Sequence, residues 1–389
     1  MNYKEVKHTK PRLKVGFNSN LNIQSYGENN LYPQMVSQII DASSTGSICL
    51  DRFATFIEGN GLNDTAFAET VINPAGATID DVFHLIAGDM ARYHGFAIHV
   101  NYDATFRICS MQHVPFECCR LEEETEDGKV VYINYHPDWT GSKTRKGKLL
   151  KVSKDTVQKI YAFNPDPAVV ADQMAHDGGI ENFRGQILWV SYDGVNKYPK
   201  AKYDGAIARL STDEGLDNVA YRNVRNNFLP AGMITRKKGA AITIDDNGRE
   251  ITDNTKSEMM RETLAVFTGD ENTSSLLDIE LNSDEDAPEF TPIEGTNFDK
   301  KFEVTDNTTT ERIYAAFGQE PFYCVRIGKT GFSGDIINDA YLYYNRYVGK
   351  ERHIIERTLR RICKFWNMPI NPSQDFSIQP LVLLNSNEQ

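Results

Sequence analysis

Residues 296–366 read TNFDKKFEVTDNTTTERIYAAFG (296–318), QEPFYCVRIGKTGFSGD (319–335) and IINDAYLYYNRYVGKERHIIERTLRRICKFW (336–366). The first segment carries a helical pattern and stops at Gly318, a residue type that ends helices by adopting left-handed backbone. The second is a loop punctuated by Gly328, Gly331 and Gly334 around Lys329. The third is long, basic and aromatic, and Pro369 follows it. Glycine loops of enzymes usually join a strand to a helix. One held between two long helices suits a mechanical part better than a catalytic one.

Working outward, 389 residues allow roughly two to three domains of ordinary size. No run of about 18 apolar residues exists, so no membrane partner is expected. The N-terminal MNYKEVKHTKPRLKVG is basic without an apolar core, unlike a secretory signal. The six cysteines lack C-x-x-C spacing, which predicts free thiols in a reducing compartment. A net charge of −12 argues against a protein that coats phosphates generally.

The placement of charge says more than its sum. Between Arg261 and Lys300 there is no Lys or Arg but eleven acids, among them Asp278, Glu280, Asp284, Glu285 and Asp286. From Ile336 to Trp366 seven Lys and Arg face three acids. Such segregation of sign predicts a different partner for each block.

Residues 28–59 read as two helices broken at Ser43–Gly46, and Thr78–Asp81 opens another with carboxylates at its positive end. FAIHV, FRICSM, VVYINY, LLKVS, QKIYAFN and QILWVSY read as strands, giving an α+β region over the first ~200 residues. A helix is predicted over 205–228 and another over 297–318. They flank an insertion with strands at MITRKKGAAITI, LLDIEL and EFTPIE and a capped helix at Thr255–Glu258. In the last helix, Val348, Ile355, Leu359, Ile362 and Trp366 form an apolar stripe, expected to pack against neighbouring subunits. Its tyrosines, interleaved with Arg346, Arg352, Arg357, Arg360 and Arg361, offer the alternative of nucleic-acid contact.

Catalytic and cofactor patterns fail. Ile327–Thr330 has the Gly-Lys-Thr end of a phosphate loop, but Tyr323 stands where its first glycine belongs and no apolar strand precedes it. His84, His94 and His99 do not match H-E-x-x-H, and His113 with Cys118 and Cys119 offers three ligands on a strand, where one cysteine is expected in the core. The expectation is no catalytic residue, no metal and no cofactor.

The order of these parts resembles the portal proteins of tailed bacteriophages. The residues that carry the likeness are ENNLYP (28–33), SSTGSICLDRFATFIEGNGL (43–62), DVFHLIAGDMARYHGFAIHV (81–100), YRNVRNNFLPAGMI (221–234), ERIYAAFGQEPF (311–322) and the helix 336–366. The resemblance implies a wing over 1–204, stem helices at 205–228 and 297–318, a clip at 229–296, a tunnel loop at 319–335, and a channel-top helix with a short crown over 336–389. It implies a non-enzymatic ring, usually of twelve subunits, at one capsid vertex of the virion and assembled in the host cytoplasm. Implied partners are the major capsid protein, the terminase large subunit, a head–tail adaptor and double-stranded DNA in transit. In that frame Lys329 and Arg326 would touch DNA, Gly328, Gly331 and Gly334 would hinge the loop, and Asp278, Glu280, Asp284, Glu285 and Asp286 would dock partners. Two rival readings are another head-assembly or minor structural phage protein, and a nucleotide-binding transferase using the Gly-Lys-Thr loop.

Overall fold

A mixed six-stranded sheet organises the larger part of the chain. The computed structural model describes residues 13–145, 148–226, 232–237, 241–244, 250–253, 276–281, 298–328 and 334–382. The chain forms two units, one joining the residues up to Ser211 to those from Thr308, the other Thr212–Asn307. The division falls inside two helices, α6 (Ile207–Asn226) and α7 (Phe298–Ala316).

In the larger unit a hairpin of β1 (Val15–Asn18) and β2 (Ile23–Tyr26) leads into helices α1 (Tyr32–Ala42) and α2 (Ser44–Glu58). The break between these helices is one residue, Ser43, whose hydroxyl caps α2 by accepting from the Gly46 amide. After the short α3 (Thr65–Ala68), helix α4 (Ile79–Tyr93) opens on a capping box in which the Thr78 and Asp81 side chains each accept from the other's backbone amide. Its apolar stripe, including Val82, Phe83, Ile86 and Met90, is buried.

The sheet runs β4 (Ile108–Val114), β3 (Gly95–Tyr102), β10 (Gln186–Ser191), β9 (Gln158–Ala162), β6 (Tyr132–Tyr135), β5 (Cys119–Leu121). All neighbours are antiparallel except β9 and β10. Antiparallel neighbours need only short turns. The parallel pair needs a crossover, and helix α5 (Pro167–His176) lies in that connection. Sequence reading missed α5, although Asp166 caps it and Pro167 begins it. LLKVS is not a strand beyond Leu149, where β8 (Lys148–Leu149) pairs with β7 (Thr144–Arg145).

The C-terminal part returns to the same core. Helix α8 (Glu320–Arg326) is followed by α9 (Gly334–Tyr347) and α10 (Gly349–Cys363), separated at Val348. The stripe Val348, Ile355, Leu359, Ile362 and Trp366 is buried within its own chain, with α10 against α2 and α4, rather than against a neighbour. The smaller unit contains β11 (Gly232–Lys237) parallel to β14 (Leu276–Leu281), and β12 (Ala241–Ile244) antiparallel to β13 (Glu250–Asp253). EFTPIE and Thr255–Glu258 lie outside the described residues.

Candidate functional site

The joint between the two chain segments of the larger unit has a buried polar centre. Gly318 adopts φ +65°, and a Cβ there would come within 2.3 Å of the Tyr347 ring, so only glycine fits. The turn delivers Gln319 into the core, where it is wholly buried. Its Oε1 accepts from Arg52 at 2.9 Å, and its Nε2 donates to the Cys49 carbonyl at 2.7 Å and to the Tyr344 hydroxyl at 2.9 Å. Tyr344 in turn donates to the Phe317 carbonyl at 3.0 Å, and burial pushes its phenol pKa up. Tyr203 stacks on Phe317 at 5.4 Å. That stack joins the residues entering α6 to those leaving α7, more than a hundred positions apart in sequence, while the hydrogen bonds join the turn after α7 to α2 and α9.

Helix α8 is rooted in the same place. Phe322 packs on Phe56 at 5.7 Å and on Tyr344 at 5.5 Å, with the Arg52 guanidinium 5.0 Å above its ring. Tyr323 lies 5.4 Å from Tyr314. The stretch 319–335 is therefore not a loop throughout. Its first half is helical because Gly318 has already reversed the chain, Pro321 suits a first turn and Phe322 packs its half-buried ring on Phe56 and Tyr344. The glycine count concealed this.

Arg326 ends α8, and its Nη1 donates to the Tyr314 hydroxyl at 3.3 Å. Gly328 has φ +69° with open space where a Cβ would stand, so its backbone conformation, not crowding, calls for glycine. Gly334 is the first residue of α9. Asp278 and Glu280 sit on β14, in register with Ile234 and Arg236 of β11. Lys329, Gly331, Asp284, Glu285 and Asp286 lie outside the described residues.

A second buried polar cluster escaped sequence reading. Glu351, only 1% exposed, bonds Lys202 at 3.0 Å, and the Lys202 ammonium lies 3.9 Å from the Tyr347 ring and 4.4 Å from that of Phe53. His94, left-handed at φ +61° after α4, places Nε2 3.7 Å from Glu351 and stacks on Tyr192 at 4.5 Å. Burial alone would raise the Glu351 pKa. The approach of His94 and Lys202 outweighs it and holds the carboxyl below its ordinary value. Arg352, which sequence reading grouped with the outward cations, points inward. It donates to the Phe56 and Ile57 carbonyls and, at 2.9 Å, to Asn345 Oδ1, satisfying the end of α2.

The former metal candidates are dispersed in structural roles. His113 Nε2 is 2.7 Å from Asp89, and His99 Nε2 is 2.6 Å from the Arg184 carbonyl, both on a groove of about 520 Å³ over the sheet. Cys118 and Cys119 are both buried, because Cys118 closes a 3₁₀ turn instead of alternating along a strand. Burial pushes the Cys118 thiol up to about 11. Among the described residues, no group of three or more His, Cys, Asp or Glu is placed to hold a metal, and no helix is long and apolar enough to cross a membrane.

No family model and no curated protein matches the chain. Three solved structures with a similar chain path are chains of gene transfer agent particles. A chain from the neck of an empty particle, computed with C6 symmetry, aligns with TM-score 0.47 and 12% identity over 90% of this chain and 85% of that one. One from the neck of a native particle, computed with C12 symmetry, gives 0.47 and 12% over 87% and 82%. One from the native virion gives 0.42 and 12% over 85% and 78%. At this identity and these scores the likeness is too distant to carry function.

Proposed function

We propose that this chain is a structural subunit of a ring-shaped head–tail connector of the portal kind, through which a phage or phage-like particle takes up and releases DNA. The observation that carries the reading is the discontinuous build. One unit is made from both ends of the chain, sealed by Gln319 and Tyr344, and the unit 212–307 is inserted into it, beginning within α6 and ending within α7. The portal-like order of the sequence segments supports the same assignment. In this reading the residues to 204 are the wing, α6 and α7 the stem, 229–296 the clip, and the end of the chain the channel top with its short crown.

A ring of identical heterologous contacts closes by rotation and presents each surface many times over. The eleven acids of 262–299 then become a continuous negative collar. Such a collar repels DNA phosphate and steers basic partners, first a terminase and later a tail adaptor. Single exposed pairs there would contribute only about 0–1 kcal/mol, so Asp278, Glu280, Asp284, Glu285 and Asp286 would act together. Arg326 is engaged by Tyr314, which leaves Lys329 as the main cation of the 319–335 segment for transient DNA contact. The assignment predicts a pierced ring in negative stain and one multimeric mass in mass photometry. Monomers alone across assembly conditions would refute it. Saturable ATP–Mg binding in calorimetry, lost in Lys329→Ala, would favour the transferase instead.

A further inference from the structure

Helix α10 is amphipathic in an unusual way. Its inner face is apolar, with Ile354, Ile355, Leu359 and Ile362 buried, while Glu351 and Arg352 are also turned inward. Its outer face carries Lys350, His353, Arg357, Arg360 and Arg361, and Lys364 follows at the C-cap, all exposed. These positions fall at i, i+3, i+7, i+10, i+11 and i+14, which a 3.6-residue period gathers into one stripe about 21 Å long.

Three cations elsewhere in the larger unit are paired with acids. Arg92 meets Asp41 at 2.7 Å, Lys159 meets Glu122 at 2.8 Å, and Lys200 meets Asp204 at 3.0 Å. Among the described residues, none of Lys350, Arg357, Arg360, Arg361 and Lys364 forms an ion pair. Aromatic rings hold several of them in place instead. Lys350 stands 3.8 Å from the Tyr192 ring, Arg361 lies 4.9 Å above Phe163 and Arg360 lies 5.5 Å above Phe376. The acid at the border, Glu356, is occupied by the Ile378 amide at 3.0 Å and faces His353 at 3.9 Å. Partial burial against Phe163, and to a smaller extent the neighbouring Arg357 charge, lowers the Arg361 pKa.

We propose that this stripe binds the phosphate backbone of duplex DNA without regard to sequence. A protein partner would want an apolar or aromatic anchor at the centre of its interface. No large apolar side chain is exposed between Gly349 and Lys364. Cations spaced by about 5 Å along a straight line suit a row of phosphates, and pre-positioned guanidiniums lose little freedom on binding. A single chain presents the surface, on a helix outside the 319–335 segment of the sequence, so the inference does not rest on ring formation.

The test is fluorescence anisotropy of full-length protein with a labelled ~30-base-pair duplex of arbitrary sequence, titrated at several KCl concentrations. Five neutralised phosphates give a slope of log K against log salt of about −4.5, which is about a 500-fold loss of affinity from 50 to 200 mM. The triple variant Arg357→Gln, Arg360→Gln, Arg361→Gln should flatten the slope to about −1.8, or about a 12-fold loss over that range. Arg357→Lys, Arg360→Lys, Arg361→Lys should retain the steep slope, which a merely structural role for the arginines would not. Lys148→Gln, Lys151→Gln, Lys154→Gln, away from the stripe, should behave as wild type. Unchanged affinity and slope in the Gln triple variant overturns the proposal. So does a Gln variant that alters self-association while leaving DNA binding intact, which would make the stripe a contact between proteins.

Discussion

Helices α4 and α7 are similar in length, yet they meet their surroundings in opposite ways. Helix α4 is capped at its start by Thr78 and Asp81 and buries eight of its fifteen residues in its own chain. In α7 every residue from Glu303 to Thr308 is exposed, and Val304 is 64% exposed. Burial begins at Thr309 and becomes apolar with Ile313 and Tyr314. Helical stability in proteins comes chiefly from packing an apolar face. Packing within the chain accounts for α4, whereas among the described residues nothing buries Glu303–Thr308 of α7. The proposed ring would cover that stretch with a neighbouring subunit.

The sharpest way to break the contrast is to attack the self-sufficient unit where it is most committed. Arg120 is wholly buried without an acidic partner and makes five hydrogen bonds, to Asn30 Oδ1 and carbonyl, the Glu117 and Cys119 carbonyls and Gln34 Oε1. Arg120→Met leaves those acceptors without donors in the core, and a loss of about 3–5 kcal/mol is expected by denaturant unfolding. That is a large share of a domain's total stability. A loss below about 1 kcal/mol would mean that water replaces the guanidinium and that this core is less committed than its bonds imply.

A second substitution measures α4 directly. Ile86 is 0% exposed, so Ile86→Ala should cost about 2–5 kcal/mol through lost burial and the cavity left behind. The midpoint of urea unfolding would report it, and an unchanged midpoint would dissolve the comparison with α7.

Much of the α+β core was legible in the sequence, and the reasons are local. Ser43, Thr78 and Asp81 announce helix starts by chemistry confined to a few residues, and QILWVSY shows the apolar run of a buried strand. Long-range polar burial left no such trace. Gln319 looked like the start of a loop, since nothing near it reveals Cys49 or Tyr344. Glu351 and Arg352 looked like members of a charged helix face, and only the fold shows them turned inward onto Lys202 and the end of α2. The sequence-nominated docking and loop residues were chosen by charge and glycine spacing, signals that do not encode distance.

The pH response of the Glu351 cluster offers a smaller effect inside the same unit. The carboxyl's folded pKa lies below its ordinary value of 4.5. Its contribution is therefore present above pH 4.5 and is lost as pH falls through the lower folded value. Glu351→Gln should cost about 1–3 kcal/mol at neutral pH. The gap between wild type and variant should shrink as pH drops below 4.5, in parallel urea titrations. A gap independent of acid would assign the loss to packing and not to charge.

The smallest effect on stability belongs to α7 and is the most informative. Val304 is exposed in the single chain, so Val304→Asp should change unfolding by no more than about 0.5 kcal/mol. If the first half of α7 packs against an adjacent subunit, the same substitution buries an unpaired carboxylate in every contact of the ring. Repetition around a closed ring multiplies a modest local cost, because each subunit contributes one side to each of two heterologous contacts. Mass photometry should then show the variant shifted to monomers at protein concentrations where wild type is assembled, with the two monomers equally stable to urea. Assembly equal to wild type would show that α7 stays in water, and the contrast with α4 would then reflect a solvated helix supported by its own polar side chains. Loss of both assembly and monomer stability would place the partner of Val304 within the chain. Only loss of assembly alone supports a neighbouring subunit as the missing surface.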